Sequence, residues 1–374
     1  MIKSSHSYDV VVVGGGPCGL AASLRLANNG LRVALIEKGS YHQPRVGEHL
    51  PASAMGVLQE LGISAICSDA TSHLHCAGVV SWWGNEHTPH ELDYFYHPFG
   101  HGLNLTRPQF DRQFADHVRR QGTLILEHAK IQQLSWTGAA WRIDIVTEEV
   151  RCCMETQFVL DASGKSASIA RTQASHIIAW DAQIALIRNY HSCAGPINDR
   201  TTHIVIEPCE IGWWYFAPLA DGQGVCMFIT DPDLIDLRKH SIENSWRVVL
   251  GKTRAVAPIL QSFATMSKPV VCSARSQRLD HFFGDRWLAI GDAAMAFDPL
   301  SSQGITKGLR HGWMAGQVVI RYLSGETAAI AHFSQDLEAI FSEYIATRAG
   351  YYATEQRWAD SLFWRRRHTS TGKR

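Results

Sequence analysis

The chain has 374 residues, 45% of them hydrophobic and 19% charged, which is enough for a large packed core and about two domains and reads as globular rather than disordered. Lys+Arg and Asp+Glu balance at 35 each, which argues against a nucleic-acid partner, whose footprint is an excess of positive charge. No apolar run is long enough to span a bilayer, and nine cysteines without a CxxC pair read as free thiols of a reducing compartment, so the expectations are no metal, no membrane and a cytoplasmic location. Met1–Ser7 is polar and lacks the pattern of a signal peptide.

Residues 8–37 carry the strongest local signal. Val10–Val13 form a β-branched run suited to a strand buried on both faces. Gly14, Gly16 and Gly19 follow at GxGxxG spacing. The segment Leu20–Ala27 reads as a helix stopped by Asn28-Asn29-Gly30, and a second strand, Arg32–Ile36, ends at Glu37. The first glycine permits a tight turn, the second lets backbone come close to a pyrophosphate, and the third lets helix and strand pack closely. The helix N-terminus offers free N–H groups and positive dipole to the phosphates, and Glu37 can accept from a ribose. Strand, glycines, helix, strand and acid in this order specify a dinucleotide, either FAD or NAD.

The loop after Glu37 holds Lys38, which joins the candidate cofactor set, and Arg45, which is either a phosphate contact or a solvated arginine. It continues through Gly47-Glu48-His49-Leu50-Pro51 into a helix over 52–61. Residues 77–83 and 92–96 read as strands, the first ending in Trp82-Trp83. Pro108 suits the first turn of a helix with Phe110, Phe114 and Val118 on one face. A short strand at 123–127, a hairpin over 130–135 and 141–147 that 151–156 can extend, and a buried strand at 158–160 lead into Asp161-Ala-Ser-Gly164. Strand-like runs at 177–188, 203–208, 212–217 and 224–230, a helix over 241–263 and a strand near 270–277 predict an inserted β-sheet layer. A buried strand at 287–290 enters Gly291-Asp292. Helices over 302–323 and 327–364 follow, and 365–374 is a basic tail.

Gly291-Asp292 follows a strand, so Asp292 can accept from a ribityl or ribose hydroxyl, or cap a helix. Pro299, a candidate catalytic position, and the turn Ser302-Gln303-Gly304-Ile305 bring the backbone N–H groups of the turn to a helix N-terminus, where negative charge on a reduced flavin or an oxyanion is stabilised.

GGGPCG with Glu37, DASGKS with Arg171, and GDAAMAFDPLSSQG occur in the order found in the single-component aromatic hydroxylases and the flavin-dependent halogenases, and the chain resembles that superfamily over most of its length. Arg107-Pro-Gln-Phe-Asp111 is similar to the family stretch whose arginine lies near the flavin. The resemblance implies FAD and an α/β fold: an interrupted Rossmann-like FAD-binding domain (1–80, 98–175, 275–325), an inserted β-sheet substrate domain (81–97, 176–274), and C-terminal helices (326–374). It also implies hydroxylation of an aromatic ring with O2 through a flavin C4a-hydroperoxide.

Two departures speak against halogenation. No lysine lies between Lys38 and Lys130, and the halogenase Trp-x-Trp-x-Ile-Pro is replaced by Trp213-Trp-Tyr-Phe-Ala217-Pro218. Asp-Ala-Ser-Gly in place of Asp-Gly puts a nicotinamide site in doubt. Gly47–Pro51, Asp161–Gly164 and Asp298–Gly304 look most like the flavoproteins that modify a tryptophan in the precursor of a tryptophylquinone oxidase. That resemblance implies a protein substrate, an oxidase precursor. The rivals are a small-molecule hydroxylase or halogenase, and a maturation flavoprotein with little turnover of its own. Glu48 or His49 would serve as ring base, or make structural hydrogen bonds. Trp82, Trp214 and Tyr215 would be stacking walls, or core. An open site mouth is expected beside Trp82-Trp83 and Trp213-Trp214, since exposed apolar patches mark partner surfaces.

Overall fold

The structure, a computed structural model, describes residues 3–69, 72–84, 87–148, 151–193, 195, 202–235 and 242–369. The last part of the basic tail lies outside them. The first sheet is built on Lys3–Val13, whose Val10, Val11 and Val12 are fully buried. Its strands run in the order Phe283–Gly284, Trp287–Ala289, Arg151–Asp161, Lys3–Val13, Val33–Ile36, Leu124–Leu126, and every pair but the first is parallel. A parallel sheet is covered on both faces, which is why Val10–Val13, Val33–Ile36 and Trp287–Ala289 at its centre are apolar throughout rather than alternating. The hairpin Lys130–Trp136 and Trp141–Val146 adds to Arg151–Asp161. That strand is continuous through the point where the sequence suggested two.

Helices Pro17–Asn28 and Gly304–Leu323 lie against each other on this sheet. Their approach is set by glycine: a Cβ on Gly312 would stand 2.0 Å from the Cys18 carbonyl oxygen.

The second large sheet has the order Phe263–Thr265, Ile184–Ser192, Gln223–Thr230, Gly212–Pro218, Ile204–Cys209, Gly78–Ser81, His90–Asp93, with Val270–Ser273 also on Ile184–Ser192. It therefore starts ahead of the boundary at 81. Strand alternation divides its aromatics. Trp213 and Tyr215 face Trp83, Tyr352, Phe363 and Trp364, whereas Trp214 and Phe216 face Trp246, Val256 and Leu260.

Several predicted elements divide. The run 177–188 is two strands in different sheets: Ile177–Ala179 pairs with Gln277–Leu279, and Ile184–Ser192 belongs to the large sheet. Between them the Asp181 carboxylate accepts from Gln183 N–H at 3.0 Å and from the Arg348 guanidinium at 3.0 Å, which turns the chain. The predicted helix 241–263 is two helices, Ile242–Leu250 and Val256–Leu260. The Glu207 carboxylate, from the sheet, accepts from the N–H groups of Ala255 (3.0 Å) and Val256 (2.9 Å), and so starts the second helix. The strand predicted near 270–277 is Val270–Ser273 and Gln277–Leu279, and 327–364 is Ala328–Ala353 and Leu362–Thr369. Strand 92–96 is His90–Asp93 followed by a tight helical turn, Tyr94–Tyr96, because the Asp93 carboxylate accepts from Phe95 N–H at 2.8 Å.

The Gly312 contact generates a stability test. Gly312→Ala drives a methyl into the Cys18 carbonyl and should destabilise the fold by about 1–3 kcal/mol. Chemical denaturation measures it, and an unchanged midpoint would show that the helices separate freely.

Candidate active site

The glycine turn forms as its spacing predicts. Gly14 has φ +109°, and a Cβ there would lie 2.3 Å from the Ala162 carbonyl oxygen, so only glycine fits. A Cβ on Gly16 or on Gly304 would meet nothing within 4 Å, so both helix starts border open space.

The Glu37 carboxylate accepts from Gly15 N–H at 2.7 Å and Gly39 N–H at 2.8 Å, and Arg45 lies 3.4 Å from it. Arg45 also sits over the Tyr41 ring and 3.6 Å from Asp111, so it lies at the turn rather than free in solvent. Lys38 is exposed. Arg107 binds Asp111 through two nitrogens (3.2 and 3.0 Å) and donates to the carbonyls of Val46 (2.5 Å) and Gly47 (2.7 Å). It therefore clamps the loop that carries Glu48 and His49.

Glu48 and His49 are 4% and 6% exposed. The Tyr215 hydroxyl, from the second sheet, donates to the Glu48 carboxylate; burial raises the Glu48 pKa against the pull of Tyr215 and Arg107. His49 is held on both sides. Its Nδ1 is 3.2 Å from Asn104 Oδ1 and its Nε2 is 3.2 Å from the Tyr94 hydroxyl. With Nδ1–H donating to the amide oxygen, Nε2 accepts from Tyr94. Asn104 Nδ2 donates to the Pro218 carbonyl at 3.0 Å, which joins the loop to the second sheet.

Asp292 and the residues around it form the other end of the site. Its carboxylate is 37% exposed and 2.8 Å from Lys307 Nζ. Lys307 is a functional candidate that the sequence alone did not reveal. It is buried, donates also to the Met295 carbonyl at 2.6 Å, and lies 4.1 Å from the Phe297 ring centroid. Burial raises the Asp292 pKa, but Lys307 and Lys165 outweigh it and hold the carboxylate below its usual range. The only available signal was that Lys307 follows the Gln303–Ile305 turn within a glycine-rich helix. Gln303 and Gly304 are exposed and Ile305 is buried. Pro299 opens a short helical turn, Pro299–Ser301, whose Leu300 N–H donates to Asp298 at 2.9 Å. Gly291 has φ +60° and packs on the Cys18 thiol. Gly19 packs on the Gly14 carbonyl.

Three of the predicted aromatics separate. Tyr215 reaches Glu48. Trp214, one residue earlier, is fully buried on the opposite face, stacked on Phe228 at 4.7 Å, so it packs the core. Trp82 packs against the same cluster as Trp214. Trp83 and Trp213 are also buried, in an aromatic block with Tyr352 and Trp364, so the tryptophan pairs do not flank an open mouth. The reason is the C-terminal helices: Trp83 Nε1 donates to the Tyr351 carbonyl at 2.9 Å, and Trp213 Nε1 donates to the Tyr352 hydroxyl at 3.0 Å.

The site suits a dinucleotide. Tyr41 Oη is buried without a hydrogen-bond partner, and a Cβ on Gly15 would lie 2.2 Å from it. Thr306 Oγ1 and His311 Nδ1 are likewise buried and unpartnered, on the helix that carries Lys307. Glycine turn, helix starts and the half-buried Asp292 carboxylate complete a set of donors and acceptors fitted to phosphates and sugar hydroxyls.

Asp292→Ala should weaken FAD retention about 10- to 100-fold, the worth of one hydrogen bond to a charged group, and Lys307→Met should lower it through the same carboxylate. Release of flavin on dilution reads both. A second experiment concerns pH. Burial, opposed only by the Asn104 hydrogen bond, lowers His49 to about 4, and burial lowers His311 to about 3. Both are neutral in the fold and titrate higher when unfolded. Stability is therefore full above about pH 6.5 and falls as pH drops toward 4, by about 3 kcal/mol for His49. Urea midpoints across that window should show the loss, and His49→Gln should reduce it.

The profile of the FAD binding domain family matches residues 7–335. The chain is 30% identical over 372 residues, 97% of each chain, to the putative FAD-dependent oxidoreductase LodB of Marinomonas mediterranea. It is 22% identical to a tryptophan 2-halogenase of Chondromyces crocatus, over 96% of this chain and 70% of that one. Among solved structures, the chondrochloren halogenase CndH superposes with a TM-score of 0.88 at 20% identity, covering 97% of this chain and 86% of its own. The peptidyl tryptophan dihydroxylase QhpG superposes at 0.80 with 21% identity, covering 97% and 79%. The chain belongs to the FAD binding domain family and is an FAD-dependent oxidoreductase, with the fold of the flavin-dependent halogenases.

Proposed function

We propose that the protein hydroxylates an electron-rich aromatic ring with O2, and that the ring is the indole of a tryptophan in a partner polypeptide, the precursor of a tryptophylquinone oxidase. The observation that carries this is the buried Glu48–Tyr215 contact, where the cofactor loop meets the second sheet. FAD supplies the oxygen-activating redox chemistry. The chain itself holds the cofactor, excludes water, orients the ring and takes its proton. Gly14, Gly16, Gly19, Glu37, Arg45 and Asp292 would bind the cofactor, with the N–H groups of Gln303–Ile305 at the flavin end. Glu48 would accept the ring proton, since burial raises its pKa and makes the carboxylate more basic. His49 would orient the loop through Asn104 and Tyr94.

The structural likeness to QhpG, whose name states a peptidyl tryptophan substrate and a role in tryptophylquinone biogenesis, supports the choice of ring. No lysine occurs between Lys38 and Lys130, which supports hydroxylation over halogenation. In this reading the electrons come from a reductant other than a nicotinamide docked on the chain, and the protein works in the cytoplasm.

The test is aerobic turnover of FAD-loaded protein with a chemical reductant and a tryptophan-bearing precursor in chloride and bromide buffers. Oxygen mass should appear on the tryptophan and no halogen on any product. Saturable NADPH oxidation stimulated by a free aromatic, or a chlorinated indole, would refute the reading. Glu48→Gln should slow the reaction about 10²- to 10⁴-fold and remove the rise of rate with pH that ionisation of the carboxyl produces.

A further inference from the structure

Residues 90–101 form an arm that is not explained by the cofactor site. His90–Asp93 is the last strand of the large sheet and pairs only with Gly78–Ser81 among the described residues. All four of its residues are exposed. In an antiparallel pair, alternate residues turn N–H and C=O away from the partner, so this edge offers backbone groups to a further strand. The turn that follows exposes Phe95 (71%) and Tyr96 (87%), which hold each other edge to face at 5.1 Å. Leu92 and Phe99 add 58% and 46% exposure. Such a strip is unfavourable in water unless something covers it.

A cleft of about 360 Å³ opens beneath Phe99, with Met55, Leu58 and Leu103 in its wall and the stacked rings of His75 and His101 at 5.6 Å. It shares a small sheet with the catalytic loop but lies on the other face. His75 and Leu50 both pair with Leu103, whereas His49 pairs with Asn104. The arm is tied to the loop by the buried Tyr94, whose hydroxyl meets His49. Its charge has one sign. No Lys or Arg occurs between Arg45 and Arg107, while Glu60, Glu91 and Asp93 are exposed.

We propose that this arm is the docking strip for an extended, basic segment of the partner polypeptide, which adds as a strand to His90–Asp93, covers Phe95 and Tyr96, and seats one apolar side chain in the cleft. The proposal rests on the reading of the substrate as a polypeptide. An open backbone edge is matched by another backbone, aromatic anchors beside a pocket are the usual centre of a protein interface, and an acidic rim selects basic residues.

The probe is a labelled peptide alternating lysine and valine around one tryptophan, with a glutamate-for-lysine counterpart as control. Fluorescence anisotropy with FAD-loaded protein should show binding of the basic peptide, about tenfold weaker binding with Phe95→Ser/Tyr96→Ser and with Glu91→Lys, and little binding of the acidic peptide. Hydrogen exchange should be slowed over 90–101 and not at the opposite sheet edge. Equal binding by both variants, equal binding of both peptides, or protection elsewhere would overturn the proposal. So would a concentration-dependent dimer that the Phe95/Tyr96 variant abolishes and the basic peptide does not displace, because the occupant would then be a second copy of the chain. Mass of a tryptophan-bearing oxidase precursor after aerobic turnover separates the two readings. A precursor that is bound but gains no oxygen refutes the hydroxylase reading and leaves the docking strip; equal oxygen gain on the precursor in wild type and strip variants refutes the strip and leaves the hydroxylase.

Discussion

The cofactor site depends on how closely two helices approach. Pro17–Asn28 and Gly304–Leu323 both begin at the site, and their N-termini are useful only if they point at the same ligand. Cys18 lies at the crossing, in contact with Gly291, Gly308 and Gly312. Any side chain at Gly312 would separate the helices, and one at Gly14 would move the turn away from Ala162. The motifs are therefore one packing solution, with distant parts of the chain meeting on Cys18.

The second layer is fastened to the first by polar contacts as well as by apolar burial. Asp298, just before the Pro299 turn, accepts from Arg348 (3.0 Å) and from the Tyr352 hydroxyl (2.9 Å), and its own N–H donates to the Tyr344 hydroxyl at 2.6 Å. Tyr352 in turn accepts from Trp213 of the large sheet and from Gln183 just ahead of it. A buried network of this kind is costly to break, because removing one member strands the others. The helix Ala328–Ala353 thus holds the Pro299 turn and the aromatic sheet in one register.

What could be read from the chain was whatever the backbone forces on residue identity. The GxGxxG turn and Pro108 at a helix start were legible because few other residues fit there. Lys307 was not, since a lysine in a helix reads as solvated until Asp292, Met295 and Phe297 are seen around it. Trp214 and Tyr215 were indistinguishable as candidates. Only the register of Gly212–Pro218 decides which faces Glu48, and a shift of one residue would exchange them. The split of 241–263 depends on Glu207, far away in sequence, and no local pattern contains it.

Cys18 has one more consequence. It is the thiol nearest the meeting point of three cofactor-site elements, and burial pushes its pKa well up despite the lowering influence of Lys307. Only a thiolate reacts readily with peroxides, so a thiol kept protonated resists conversion to sulfenic acid. A flavoprotein that meets oxygen can release hydrogen peroxide within its own walls. In this fold the crossing that needs a small side chain also keeps its thiol buried and protonated, whereas Cys193 stands exposed.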